Sequence, residues 1–198
     1  MNTIKLVLML GLVAAVQPSS ASTEDANSRV RWAAPPVSLP DFKLTDDLGR
    51  EFGVADLRGR TALLFFGFTH CANVCPVTLQ VMRQVHRSLG PDAAGLVNVF
   101  VSVDGARDTP AVMHDYLEPY APGFIGLTGE PTAVRVLADK VSAVFFKGMP
   151  TDERGGYDVA HTSQVYLVDA QGRLRATFYG AGAEAIGEAA RTVLREKS

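Results

Sequence analysis

An unbroken apolar run, Thr61-Ala-Leu-Leu-Phe-Phe-Gly-Phe68, leads into a short segment that holds both cysteines of the chain, Cys71 and Cys75, and then Pro76. A run of this length, aromatic-rich and bounded by Gly59, fits a strand buried on both faces. After it, Val77, Val81, Val85 and Leu89 share one helical stripe, and Pro76 suits a first helical turn, where its missing N–H is no loss. A buried strand turning directly into a helix, with two thiols at the junction, restricts the chain to α/β architectures.

The remaining periodicity extends this order. FKLTDDLGREF reads as two short strands around a turn at Asp46-Asp47-Leu48-Gly49. Leu96 to Val103 is a second buried strand. Asp108-Thr109-Pro110 starts a helix running to about Tyr120, with Thr109 as its cap. A short strand follows at Phe124 to Leu127, then a helix from Pro131 to Lys140. Ala143 to Lys147, Gln164 to Asp169 and Arg173 to Phe178 read as strands, the last two joined by the tight turn Ala170-Gln171-Gly172. Ala183 to Glu196 closes the chain as a helix. Strands alternating with helices and ending in a hairpin predict a mixed sheet flanked by helices, which is also the order of a thioredoxin-like fold.

The chain has 198 residues, 47% hydrophobic and 20% charged, with a formal charge of -2, which suits one globular domain. No Lys/Arg block is present, so a nucleic-acid partner has no electrostatic footprint. Lys5 precedes the 11-residue apolar run Leu6–Val16, followed by Ser19 and Ala21 as small cleavage-site residues. That run is shorter than the ~20 residues a spanning helix needs, so residues 1–21 are read as a signal peptide and 22–38 as a flexible lead-in. The folded domain is expected over residues 39–198. Export implies an oxidising compartment, here the bacterial periplasm, with tethering to the inner membrane if the signal is uncleaved.

A disulfide between Cys71 and Cys75 would close so small a loop that it gains only ~2 kcal/mol. The pair is therefore read as chemical rather than structural. At a helix N-terminus the Cys75 thiolate is expected to be stabilised, and the two sulfurs can form a disulfide or hold a soft metal ion.

GFTHCANVCP (67–76) resembles the signature of the Sco/SenC family, copper proteins on a thioredoxin-like fold. VSVDGARDTP (101–110), GLTG (126–129) and YDVAHTSQVYLVDAQG (157–172) resemble its further landmarks in the same order. The resemblance implies one copper ion, Cu(I) or Cu(II), bound by Cys71, Cys75 and His161. It also implies delivery of copper to, or reduction of the thiols of, the CuA-bearing subunit of cytochrome c oxidase. A thiol reductant and another copper chaperone are the further partners implied. Membrane contact is expected only through a partner or an uncleaved signal. Two positions depart from the pattern: Asn73 and Ala160 stand where many members carry Asp.

The residues agree with this reading. A thioredoxin-like reductase carries Cys-x-x-Cys and a proline before the strand that faces it. Here the spacing is one residue wider, and His161-Thr162-Ser163 precedes Gln164. His161 is expected on a loop facing the thiols. The alternative is a thiol–disulfide oxidoreductase using Cys71 and Cys75 as its redox pair without copper. A peroxidase lacks its framing Thr, since Phe68 and Ala72 occupy the positions three before each cysteine. His70 is a candidate tuning residue beside Cys71. His86 and His114 read as surface residues, Asp104 and Asp108 as turn and helix-start residues. Met82, Met113 and Met149 form no copper-relay tract, and Phe65, Phe66 and Phe68 are core, the last a candidate wall of the site.

Overall fold

The computed structural model describes residues 29–150 and 156–196. The expected signal peptide and the first part of the lead-in lie outside them. In chain order the strands are β1 (Val30–Ser38), β2 (Lys43–Asp46), β3 (Glu51–Gly53), β4 (Thr61–Gly67), β5 (Leu96–Ser102), β6 (Phe124–Thr128), β7 (Phe145–Pro150), β8 (Tyr157–His161), β9 (Val165–Val168) and β10 (Arg173–Phe178). The helices are α1 (Val54–Leu57), α2 (Val74–Leu89), α3 (Pro110–Leu117), α4 (Pro131–Lys140) and α5 (Ala183–Arg195).

Eight strands form one mixed sheet in the order β1-β10-β9-β4-β5-β6-β2-β3, and β7 and β8 form a separate antiparallel pair. The β4–β5 and β5–β6 pairs are parallel; β9–β10 and the β2–β3 hairpin are antiparallel. This is the thioredoxin-like, mixed-sheet α/β architecture with an N-terminal hairpin. All seven residues of β4 are buried. Leu63 and Phe65 pack towards α2, α3 and α5, while Ala62, Leu64 and Phe66 pack towards α4 and the β7–β8 pair. Two apolar layers thus clamp the strand that delivers the cysteines.

Three expectations change. The lead-in is not irregular over Val30–Ser38: it is an edge strand on β10, with a register irregularity between Trp32 and Val37. An edge tolerates Pro35 and Pro36 because one side of the strand needs no N–H donors. The folded domain therefore begins before residue 39. The helical stripe is also rotated. Val77 is 65% exposed, and the buried line of α2 is Cys75, Leu79, Met82, Val85 and Leu89. Steps of four residues drift about 40° each around a 3.6-residue helix, so Val77 and Leu89 cannot share the core face. Finally, His161 ends strand β8 rather than sitting on a loop.

The β2–β3 turn forms where expected. Asp46 Oδ1 accepts from Leu48 N–H (3.0 Å) and Arg50 N–H (2.8 Å), and Gly49 supplies a φ of +80°.

Candidate metal centre

β4 ends at Gly67, against which Cys75 packs so closely that an added Cβ would meet its Sγ at 2.6 Å and the Phe100 ring at 2.6 Å. Only glycine leaves room for the thiol. Beyond it, the loop carrying Cys71 is fastened by the fully buried Asp108. Asp108 Oδ2 accepts from Thr69 N–H (3.0 Å) and from the Ser102 hydroxyl (2.6 Å), and Oδ1 accepts from the Thr69 hydroxyl (2.6 Å). The helix starts at Val74, which makes Cys75 its second residue. Cys71 is half-buried and Cys75 buried, both as free thiols.

The expected stabilisation of the Cys75 thiolate is overturned. Burial pushes the Cys75 thiol well above the ordinary range, and the neighbouring Cys71 and Asp108 add to the rise. The backbone N–H of Phe68 opposes it only in part. Burial outweighs this opposing backbone contact, so the thiol form is favoured. A metal cation can supply the missing positive charge, displacing the proton.

His161 reaches the thiols from β8, with Nε2 3.6 Å from Cys75 Sγ. Its Nδ1 lies 2.9 Å from the Thr162 carbonyl oxygen. An Nδ1–H donated to that oxygen leaves Nε2 free to turn its lone pair towards the sulfurs, and the Phe66 backbone is a second hydrogen-bond partner of the ring. Burial also holds the imidazole pKa below its usual value, keeping it neutral. The rings of Phe68 and Phe65 meet it edge-on at 5.7 and 6.1 Å between centroids. Phe68 is thus a wall of the site as well as core.

Cys71, Cys75 and His161 place their donor atoms within 4.8 Å of one another, the one such group of three among the described residues. Two thiols and one oriented imidazole at this separation suit a single soft or borderline ion. No carboxylate joins them, which disfavours hard cations.

The other candidates fall outside. His70 is exposed, with Nδ1 3.1 Å from Thr69 Oγ1 and 4.0 Å from Asp108 Oδ1. His114 is exposed and pairs with Asp47. His86 departs from its surface expectation, since it is half-buried beside Gly123. Met82 and Met113 are core, and Met149 is exposed. Asn73 and Ala160 are both exposed, with Ala160 opposite Phe146 in the β7–β8 register.

Sequence reasoning gave Asp104 and Asp108 only a turn-forming role. Both are buried, and they fasten the two arms of the site. Asp104 accepts from Arg107 Nε and, at 2.6 Å, from the Tyr157 hydroxyl. Two aspartates flanking a turn after a largely apolar strand were the visible signal. Their burial was not.

The sequence model of the SCO1/SenC family matches residues 33–195. An SCO2-like protein of Rickettsia felis is 35% identical over 139 residues, 70% of this chain and 68% of its own. A putative copper-binding protein of Stutzerimonas stutzeri is 33% identical over 88% of this chain and 87% of its own. Among solved structures, Bradyrhizobium japonicum ScoI with copper bound superposes with a TM-score of 0.72 at 34% identity, covering 79% of this chain and 99% of that one. Apo Sco1 of Thermus thermophilus gives 0.73 at 30% identity, covering 81% and 94%.

Proposed function

The chain belongs to the SCO1/SenC family, and from that premise we propose that it binds one copper ion as cargo through Cys71, Cys75 and His161 for cytochrome c oxidase assembly. The observation that carries this reading is the convergence of two Sγ and one imidazole nitrogen within 4.8 Å. The copper-bound state of the Bradyrhizobium japonicum relative, at 34% identity, supports it. Two thiolates with one imidazole suit Cu(I), and they accommodate Cu(II) as well.

The recipient we propose is the CuA-bearing subunit, with the domain on the extracytoplasmic side. No helix among the described residues is long and apolar enough to cross a membrane. Residues 1–21 have the pattern of a signal peptide for the periplasm.

The chain's own groups divide the work. Cys75 anchors the ion from the core. The half-buried Cys71 is the sulfur an incoming ligand reaches first, so transfer proceeds by exchange at Cys71 before Cys75 lets go. Both thiols must be reduced, which couples loading to a thiol reductant.

The same difference in burial favours a second reading, a thiol–disulfide reductase with Cys71 attacking and Cys75 resolving. Copper stoichiometry and absorption of the reduced protein, beside His161→Ala, separate the two. One tightly held copper with thiolate-to-Cu(II) bands altered in the variant supports the metal reading. No tight copper, with a mixed disulfide trapped by Cys75→Ser, supports the reductase.

A further inference from the structure

Among the described residues the β7–β8 sheet that carries His161 shares no strand pairing with the eight-stranded sheet. Phe145 and Val159 seat it on the core, and two arginines fix it further by one shared device. Arg107, in the turn between β5 and α3, lays its guanidinium over the Tyr157 ring, 3.9 Å from the centroid. Its Nη1 also donates to the Tyr157 carbonyl at 3.1 Å. Arg135, on α4, lays its guanidinium over the Phe145 ring at 4.5 Å, and its Nη2 donates to the Phe145 carbonyl at 3.1 Å.

Each strand of the pair is therefore gripped by one arginine, through both the ring and the backbone of a single residue, and the Tyr157 hydroxyl donates to Asp104 as well. Tyr157 begins the strand that ends in His161, and Phe145 is the register partner of His161 itself. Arg107 is in turn fixed by Asp104. Its guanidinium lies 5.8 Å from the centroid of Phe68, the ring that walls the imidazole. A planar guanidinium can stack on a ring and donate in its own plane at once, which an ammonium cannot do.

Resting on the copper reading above, we propose that Arg107 and Arg135 are positioning residues that hold His161 against the thiols. They govern the third ligand and leave the dithiolate pair untouched. Cys75 belongs to α2 and Cys71 to the loop between β4 and α2; neither arginine donates to them, and Arg107 meets that loop only at the Phe68 ring. Two soft sulfurs suffice for Cu(I), whereas Cu(II) depends more on the imidazole. The clamps thus set how strongly the site prefers Cu(II).

The test uses the reduced full chain with Arg107→Ala, Arg135→Ala and the corresponding Lys substitutions, titrated with Cu(I) and Cu(II). Each Ala variant is expected to lose about 10–100-fold in Cu(II) affinity, the range seen when groups that orient a metal ligand are removed. It is also expected to lose imidazole nitrogen coupling in the Cu(II) electron paramagnetic resonance spectrum, with Cu(I) affinity within about threefold of wild type. The Lys variants should recover part of the loss. In metal-free protein, amide exchange should accelerate over residues 157–161 and not over β4. Equal losses of Cu(I) and Cu(II) affinity, or unchanged nitrogen coupling, would overturn the proposal. A wild type that binds no copper sinks the copper reading instead. Exchange over 157–161 then decides by itself whether the clamps hold the strand, and unaltered exchange means they do not.

Discussion

Cys75 is seated against the end of a strand whose seven residues are all buried, whereas His161 is borne by a two-stranded sheet that, among the described residues, pairs with no strand of the body and is held by core packing, the short link into β9 and side-chain contacts. One part of the site is made by the core and cannot move without disturbing it. The other is an arm. The turn from Ser102 to Thr109 serves both, because Asp108 fastens the cysteine loop while Asp104 and Arg107 fasten β8. A site that must bind its ion and later release it gains from such a division. A fixed anchor keeps the ion, and a separable ligand gives a route for exchange.

The sharpest way to break this comparison is to treat the two cysteines as equivalent. Cys75→Ser should lower copper affinity by more than the ~100-fold reached when only an orienting group is removed. It should also destabilise the metal-free protein by about 1–3 kcal/mol, because a hydroxyl replaces a thiol at a position with no solvent access. Cys71→Ser should lose copper comparably while stability stays within about 0.5 kcal/mol. Copper retained after a chelator wash and the urea midpoint measure the two effects. Equal destabilisation by both substitutions would mean that the core does not own Cys75 in the way described.

Asp108→Ala sharpens the comparison from the other side. It strips the Thr69 N–H and the Thr69 and Ser102 hydroxyls of a shared charged acceptor, an expected cost of about 3 kcal/mol. The loss should fall on the cysteine loop and leave the Tyr157 contacts in place. Amide exchange resolved by segment checks this. Acceleration over β8 equal to that over residues 69–73 would show that the two arms are not independently tethered.

How much of this was legible in the sequence follows the same division. The anchor was readable because its signals are local: the apolar run Thr61–Phe68, the two thiols and the proline that opens the helix. His161 was found through a resemblance, and its place at the end of a strand was not seen. YDVAH alternates only weakly, and its partner strand pairs His161 with Phe145 across the intervening segment rather than through a local signal. The edge strand Val30–Ser38 was hidden by its prolines, which a central strand could not have carried. Val77 misled because a perfect four-residue spacing looks more helical than the drifting line that packs. Arg107 and Arg135 gave no signal at all. An arginine that stacks on a ring far along the chain looks, in sequence, like any surface charge.

The smallest expected effect separates arm from body by pH. Burial holds both His161 and His86 below the ordinary imidazole value of 6.5. In the unfolded chain each takes up its proton as pH falls through about 6.5, while in the folded chain each stays neutral to lower pH. Between those two points the unfolded state binds more protons, so stability falls as pH drops and levels off below the folded value. The two histidines should express this differently. His86 sits on α2, half-buried against Gly123 just before β6, and is relieved by loosening that contact within the body. Its share should appear in the urea midpoint between about pH 7 and 5.5, and His86→Gln should flatten that slope. His161 can be protonated by letting the β7–β8 arm swing away. Its share should appear as faster amide exchange over residues 157–161 in the same interval, after correction for intrinsic exchange, with little change in β4. If the arm and β4 accelerate together, local opening of the arm is not a separate event. The division between a fixed anchor and a movable ligand would then have to be given up.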